Sequence, residues 1–283
     1  MSSGFYIIMA AQFFSSLADN ALLVAAIALL LQADAPSWVT PYLKFFFVIS
    51  YVALAPFVGA FADRLPKGRV MFLANTIKII GCVMMLCGVD PLAAYAVVGL
   101  GAAAYSPAKY GILTEYLPHS KLVLANGWIE GLTVASIILG AVLGGTLIKP
   151  NISGALLDLD FPWIDTSIDT PAEAAIAIIV FVYAVAAAFN LQVPRTGVAM
   201  KPLPAHPVDT LRDFARCVAH LWRDPLGQIS LAVTTLFWGA GATLQFIVIE
   251  WARNALGFDL SHAAILQGVS AIGIAIGAVL AST

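Results

Sequence analysis

Residues Phe5 to Leu31 read FYIIMAAQFFSSLADNALLVAAIALLL, an apolar run that contains no basic residue. At about 1.5 Å of rise per residue, a helix of this length crosses a hydrocarbon core of about 30 Å with some tilt. The run is too long for the apolar region of a secretory signal, and no Lys or Arg precedes Lys44, so we do not expect a cleaved signal. It therefore predicts a transmembrane helix.

The composition extends this prediction to the whole chain. Of its 283 residues, 61% are hydrophobic and 11% are charged, whereas a soluble domain has about 25% charged residues. A net charge of −2 gives no reason to expect nucleic acid as a partner. The sequence has no Cys/His cluster and no GxxxxGK[ST] loop, so we expect no metal, no cofactor and no enzyme activity.

Further apolar runs follow, and they predict seven spanning helices and the start of an eighth. Because backbone amides within lipid must be paired inside their own segment, the predicted fold class is all-α, in a polytopic membrane protein. The approximate limits are Phe5–Leu31, Tyr42–Ala62, Val70–Gly88, Leu92–Leu113, Leu122–Ile148, Pro171–Val193, Leu226–Trp251 and His262–Thr283. The last run ends in apolar residues, so we expect a truncated sequence that lacks about four further helices of a two-half transporter.

The distribution of basic residues predicts the orientation. One set of loops carries Arg64, Lys67, Arg69, Lys121, Arg195, Lys201, Arg212, Arg216 and Arg223. The opposite loops carry Lys44, Lys149 and Arg253, together with the acidic residues Asp158, Asp160, Asp165 and Asp169. By the positive-inside rule, the first set is cytoplasmic and so is the N-terminus.

The connection after the sixth run divides the chain into three parts. We assign residues 1–193 to a six-helix transmembrane bundle, 194–225 to a cytoplasmic linker and 226–283 to the start of a second bundle. Over residues 209–223, apolar residues recur at helical spacing with arginines on the other face, which predicts an amphipathic helix. It lies either on the cytoplasmic leaflet, with its arginines near anionic headgroups, or in water as a connector.

Between the second and third runs the sequence reads GAFADRLPKGR. This stretch resembles the signature loop of the major facilitator superfamily, G-x-x-x-D-R-x-G-R-[KR], although Leu65 to Gly68 departs from the usual spacing. A generic positive-inside loop would explain the arginines but neither the aspartate nor the glycines. The resemblance implies the major facilitator fold. We expect close helix packing at Gly59 and a charge network at the cytoplasmic mouth that breaks and re-forms. The residues assigned to this gating motif are Gly59, Asp63, Arg64, Lys67, Gly68 and Arg69.

Three other stretches narrow the resemblance. They are DNALL at Asp19–Leu23, GAAAYSPAKYGIL at Gly101–Leu113 and FWGAG at Phe237–Gly241, and together they are similar to the bacterial lysophospholipid transporter family. The similarity implies a flippase that moves lysophosphatidylethanolamine and related lysolipids to the cytoplasmic leaflet of the bacterial inner membrane by alternating access. It also implies an acyltransferase/acyl-ACP synthetase that re-acylates the product, either as a functional partner or as a fused domain.

Polar residues inside the predicted helices give the candidate site. Ionisable groups at membrane depth cost about 2.5–3.5 kcal/mol each and usually face a cavity and a partner. The resemblance implies that helices 1, 4 and 7 line the central path. The residues assigned to substrate binding are Asp19, Asn20, Tyr105, Lys109, Trp238 and Gln245. Some members of the resembled family carry an arginine where this sequence has Gln245. Without that cation the expected outer phosphate contact is weakened, and Arg253 would have to supply it.

A zwitterionic headgroup needs both charge signs nearby. Asp19 with Asn20 is predicted to attract the amine, and Lys109 the phosphate, while Glu130 balances Lys109 or serves in gating. The alternative is that Asp19 and Lys109 form an interhelical salt bridge that holds the fold. Lys78 is predicted to snorkel to the membrane interface.

Three functions are open at this point. The first is a lysophospholipid flippase, with lysophospholipid and membrane lipids as its partners. The second is a proton-coupled exporter of drugs or other small molecules with the same fold, in which Asp19 carries the proton. The third is a membrane anchor or scaffold for an acyltransferase, which requires no buried charge.

Overall fold

The computed structural model describes residues 3–157, 168–200, 206–266 and 269. Its helices are α1 Ser3–Gln32, α2 Thr40–Arg64, α3 Lys67–Leu86, α4 Pro91–Tyr116, α5 Leu122–Leu147, α6 Pro150–Leu157, α7 Pro171–Leu191, α8 Pro207–Arg223 and α9 Pro225–Leu256. Short 3₁₀ turns precede α2 (Ser37–Val39) and α5 (His119–Lys121). Residues 260–266 are also helical.

The all-helical prediction is confirmed, and six described helices are long and apolar enough to cross a membrane. They are Ser3–Gln32, Ser37–Arg64, Lys67–Leu86, His119–Leu147, Pro171–Leu191 and Pro225–Leu256. Helix α4 has 26 residues, which is long enough to span, and it packs against both α2 and α3. The short helix α6 was not predicted, because eight residues give no apolar run of spanning length. Most of the predicted eighth helix lies outside the described residues.

Local sequence signals set several helix ends. Thr170 and Glu173 form a capping box at the start of α7, in which each side chain bonds the backbone N–H of the other residue. Asp90 and Asp224 accept backbone N–H bonds at the starts of α4 and α9. Gly257, with φ of 66°, ends α9 in the left-handed conformation that glycine adopts without strain. Capping residues in the sequence thus fix where several of these helices begin and where α9 ends.

Helix α1 is the central element of the bundle. It packs on α5 and α7, while α3 packs on α4 and α7, and α2 packs on α4. The close approach of α1 and α5 depends on glycine: a Cβ added at Gly144 would lie 2.6 Å from the carbonyl oxygen of Ala21. Polar residues on α1 are therefore brought against α5, α7 and the helices beyond them.

The bundle has two ends, which we name by their loops. The basic end carries the α2–α3 turn and the α4–α5 turn, and the distal end carries the turns after α1, α3 and α5. At the distal end, Ile249 and Ala252 of α9 share a buried apolar cluster with the second half of α1. Residues Leu260, Ala263 and Ala264 belong to the same cluster. The described second-half residues thus meet the first bundle at its distal end.

Candidate functional site

A buried ion pair joins α1 to α3. The Lys78 ammonium lies 2.8 Å from Oδ1 and 2.9 Å from Oδ2 of Asp19. The Lys78 side chain is 1% exposed and that of Asp19 is 24% exposed. Both charges therefore sit in an environment where an unpaired ion would be costly, and each compensates the other.

Neighbouring side chains complete what we call the ion-pair centre. Tyr183 of α7 donates a hydrogen bond to Asp19 Oδ1 at 2.7 Å. The Lys78 ammonium also donates to Ser15 Oγ at 3.0 Å, and Ser15 donates to Asn75 Oδ1 at 2.8 Å. The centre thus ties together α1, α3 and α7 by charge-assisted hydrogen bonds, which are the stronger kind.

The prediction that Lys78 snorkels to the interface is wrong. Lys78 lies near the middle of α3, and its long side chain reaches across to α1 instead of to the membrane surface. The alternative salt bridge between Asp19 and Lys109 is wrong as well, because the partner of Asp19 is Lys78. The sequence did contain a signal for the Lys78–Asp19 pair, because opposite charges inside membrane helices tend to pair.

Tyr105, a predicted substrate residue, lies inside the bundle beside this centre. It is 4% exposed, and the Lys78 ammonium lies 5.0 Å from the centre of its ring, within the range of a cation–π contact. Its hydroxyl has no hydrogen-bond partner among the described residues, and neither does the side-chain amide of Asn190. In this conformation Tyr105 is buried and contacts the ammonium of the ion pair.

A second polar group surrounds Lys109 of α4, and we call it the Lys109 centre. The half-buried Lys109 donates to Thr133 Oγ1 of α5 at 3.2 Å. Gln12 of α1 donates to the same oxygen at 3.5 Å. Glu130 accepts a hydrogen bond from Tyr110 at 3.1 Å, and the Lys109 ammonium lies 4.9 Å from the centre of the Tyr110 ring. Three helices thus converge on one cation.

The two lysine centres differ in charge compensation. No carboxylate among the described residues lies within ion-pair distance of Lys109, whose described hydrogen bonding is limited to one hydroxyl. Lys78, in contrast, has a carboxylate and a hydroxyl. A partly buried ammonium with no carboxylate at ion-pair distance among the described residues is a suitable binding group for an anion such as phosphate.

The remaining predicted substrate residues lie apart from these contacts. Asn20 donates to the backbone oxygen of Ser16 on its own helix at 2.8 Å. Trp238 of α9 is 54% exposed and lies against Phe237. Gln245 is half-buried, further along the same helix. The structure therefore brings together α1, α3, α4, α5 and α7, while the two α9 residues stay predictions.

The signature loop forms a charge network at the basic end. Lys67, with 4% of its side chain exposed, lies 2.8 Å from Asp63 and 3.4 Å from Glu115 of α4. It also donates to the backbone oxygen of Ala62 at 2.8 Å, while Thr196, after α7, donates to Glu115 at 2.9 Å. Of the residues expected in the network, Asp63 and Lys67 pair in this structure, and Glu115 is a partner that the sequence pattern did not indicate. Arg64 and Arg69 are exposed.

The two glycines of the loop differ in their surroundings. The expected close packing at Gly59 is wrong for the described residues, because nothing lies within 4 Å of a Cβ added there. Helix α2 instead meets α4 through its buried face, where Ser50 donates to the backbone oxygen of Ala96. Gly68 is the close-packed glycine: an added Cβ would lie 2.7 Å from the backbone oxygen of Asn190.

A cavity of about 210 Å³ adjoins this network. Its walls include Asp63, Lys67 and Glu115 together with residues 195–200, the segment that follows α7. The linker thus covers the charge network in this conformation.

Comparison with known proteins identifies the family of this chain. The Major Facilitator Superfamily model matches residues 8–283. The chain belongs to that superfamily. Together with its apolar helices, this makes it a multi-span membrane protein.

The similar proteins include relatives named "Lysophospholipid transporter LplT". The chain is 42% identical over 269 residues to the one from Pectobacterium carotovorum subsp. carotovorum (strain PC1), covering 95% of this chain and 61% of the relative. It is 41% identical over 279 residues to the one from Yersinia enterocolitica serotype O:8 / biotype 1B (strain NCTC 13174 / 8081), covering 98% of this chain and 64% of the relative. The chain thus spans somewhat over three-fifths of the length of these relatives.

A solved structure shares the fold. It is a bacterial homolog of the human lysosomal transporter Spinster in an inward-facing, unoccupied conformation, with a TM-score of 0.69. The two are 19% identical, and the match covers 100% of this chain and 64% of the other. At that identity, the similarity concerns the fold alone.

Proposed function

We propose that this chain transports lysophospholipids of the lysophosphatidylethanolamine type across a membrane by alternating access. The main structural support for this proposal is the Lys109 centre. There, an ammonium group inside a membrane helix has one hydroxyl as its hydrogen-bond partner among the described residues. The 41–42% identity to proteins named lysophospholipid transporters supports the same assignment. In this role the chain moves a substrate without changing it and is not an enzyme.

The phosphate of the headgroup is the group that Lys109 would bind. Gln12 and Thr133 would orient the ammonium, and Glu130 would balance it through the hydrogen bond from Tyr110. Phosphate and ammonium attract strongly at low dielectric, so a desolvated contact here contributes more than one in water.

The amine of a zwitterionic headgroup would meet Asp19 and Asn20. Because Lys78 already pairs with Asp19, an incoming ammonium competes for a carboxylate that is largely compensated. We therefore assign the larger share of headgroup recognition to the phosphate contact. Trp238 and Gln245 would line the same path from the second half.

The signature-loop network would act as a latch at the cytoplasmic mouth. Its ion pairs join α2, α3 and α4, and Thr196 links them to the linker. Breaking and re-forming these pairs would accompany the rocking of the two halves, as alternating access requires. This is the role we propose for Asp63, Lys67 and Glu115.

We also propose that the chain lies in a bacterial inner membrane with its N-terminus and basic end in the cytoplasm. The returned lysolipid would there be re-acylated by an acyltransferase/acyl-ACP synthetase, separate or fused.

Two native cysteines test the orientation, because Cys87 is exposed at the distal end and Cys217 is exposed on α8. A membrane-impermeant maleimide should label Cys87 in intact spheroplasts, and Cys217 only after the membrane is opened. The reverse pattern would invert the assignment.

Uptake of labelled lysophosphatidylethanolamine into spheroplasts tests the function. Lys109→Gln should lower uptake about tenfold or more, since a hydrogen bond to a charged group contributes about 1.5–3 kcal/mol and 1.4 kcal/mol is a factor of ten. Lys109→Arg should retain more activity, and Lys121→Gln, which removes an exposed lysine of the α4–α5 turn, is the matched control. Unchanged uptake in Lys109→Gln at equal expression would remove the phosphate site.

The two other functions predict different outcomes in the same assay. Collapse of uptake on adding an uncoupler would favour the proton-coupled exporter. If Asp19→Ala leaves lysolipid conversion unchanged at equal expression, the scaffold is favoured instead.

A further inference from the structure

The apolar face of α8 lies outside the packed bundle. Leu211, Phe214, Val218, Leu221 and Trp222 recur at helical spacing, and each is 38–66% exposed. No residue of α8 is buried among the described residues. An apolar stripe of this kind in water needs a cover, since contiguous exposed apolar surface marks an interaction site.

The position of α8 is fixed relative to a membrane-spanning helix. Asp224 alone separates α8 from α9, and it accepts the backbone N–H of Gly227 at 2.9 Å. Gln228 of α9 donates to the backbone oxygen of Trp222 at 2.7 Å. Helix α8 also contacts α2, a second membrane-spanning helix. Helix α8 is therefore held next to two membrane-spanning helices, at the basic end of the bundle where α2 ends and α9 begins.

The charges of α8 compensate one another. Arg212 lies 3.8 Å from Asp209, and Arg216 lies 3.2 Å from Asp213, each pair one helical turn apart. Residues 207–224 contain three Asp and three Arg. Because the formal charge of the segment cancels, attraction to an anionic surface is weak, and the apolar stripe dominates binding.

We propose that α8 lies along the membrane surface with its apolar stripe in the lipid. Its occupant is the bilayer itself, and apolar burial holds it there rather than anionic headgroups. This differs from the expectation that the arginines seek anionic lipid. The inference is independent of which molecule the protein carries.

Site-directed spin labelling of the intact protein in vesicles tests the proposal. Val218→Cys places a nitroxide on the apolar stripe, and Arg216→Cys places one on the polar face as the matched control. Both are made in a background with Cys87→Ser and Cys217→Ser, since Cys82 is buried. Collision rates are measured with oxygen, which concentrates in lipid, and with a water-soluble nickel complex.

At residue 218, oxygen collisions should exceed those with nickel, and the order should reverse at residue 216. The same depth should be found in phosphatidylcholine vesicles, in vesicles that also contain phosphatidylglycerol, and at high salt. A nickel-accessible label at 218 would overturn the proposal in favour of a connector in water. Low collision rates with both reagents would show a protein cover, and a need for phosphatidylglycerol would overturn the apolar mechanism.

Discussion

Replacing Lys78 by methionine tests whether the ion-pair centre holds the fold. Methionine keeps an apolar side chain of similar length but removes the ammonium, so Asp19 loses the contacts at 2.8 and 2.9 Å. The carboxylate stays in place with 24% of its side chain exposed. The bond from Tyr183 at 2.7 Å then remains as its described partner.

The expected loss of stability is large because one buried charge is left uncompensated. Removing one partner of a buried ion pair costs about 3–5 kcal/mol. At about 1.4 kcal/mol per factor of ten, the ratio of folded to unfolded protein falls roughly a hundredfold or more. The double variant Lys78→Met/Asp19→Asn removes both charges and should recover most of the loss, because a neutral replacement of a buried pair is often tolerated.

Thermal unfolding of the purified protein in detergent measures these differences. Lys109→Gln is the control, since Lys109 is half-buried and bonds one hydroxyl rather than a carboxylate. Its loss of stability should be smaller than that of Lys78→Met, because no buried carboxylate loses its ion-pair partner. Lys78→Met should lower stability while Lys109→Gln lowers transport. A Lys78→Met protein as stable as the wild type, or a double variant no better than the single one, refutes the reasoning.

Three further substitutions and one control, Gly59→Ala, test other contacts. Gly101→Ala should lower thermal stability, because the added Cβ would lie 2.5 Å from a backbone oxygen of α3, whereas Gly59→Ala should be near neutral, with open space around it. Tyr183→Phe should cost about 1.5–3 kcal/mol in the same assay, because the hydroxyl bonds the Asp19 carboxylate. Glu115→Gln should change the transport rate more than the stability, because it weakens the partly exposed side of the latch. A stability loss without a rate change would remove the latch role.

Much of the helical plan could be predicted from the sequence, because the need to pair backbone amides in lipid leaves few alternatives. The fifth apolar run predicts a helix over Leu122–Ile148, and α5 extends over Leu122–Leu147. The partner of Asp19 could not be predicted in the same way. Pairing depends on how each helix is rotated and on which helices are neighbours. Here α3 reaches α1 through the long side chain of Lys78 and through the hydrogen bond between Ser15 and Asn75.

The latch at the basic end also contains a contact that the sequence could not predict. The motif pattern marks the residues between α2 and α3, and Asp63 and Lys67 do pair. Glu115 lies far along the chain at the end of α4, outside any motif, and only packing brings it within 3.4 Å of Lys67. Local patterns thus identify one side of a contact, whereas the fold supplies the other.

The difference between the two membrane-depth lysines leads to a test of headgroup recognition. Lys78 bonds both oxygens of one carboxylate and a hydroxyl, so its charge is compensated without a ligand. Lys109 has one hydroxyl, so an anion can supply what the protein does not, and phosphate is present in every lysophospholipid. Lys109→Gln should therefore slow uptake of lysophosphatidylethanolamine and of an amine-free lysolipid by similar factors. Slowing confined to the amine-bearing lipid would place recognition at Asp19 instead and contradict the assignment of phosphate binding to Lys109.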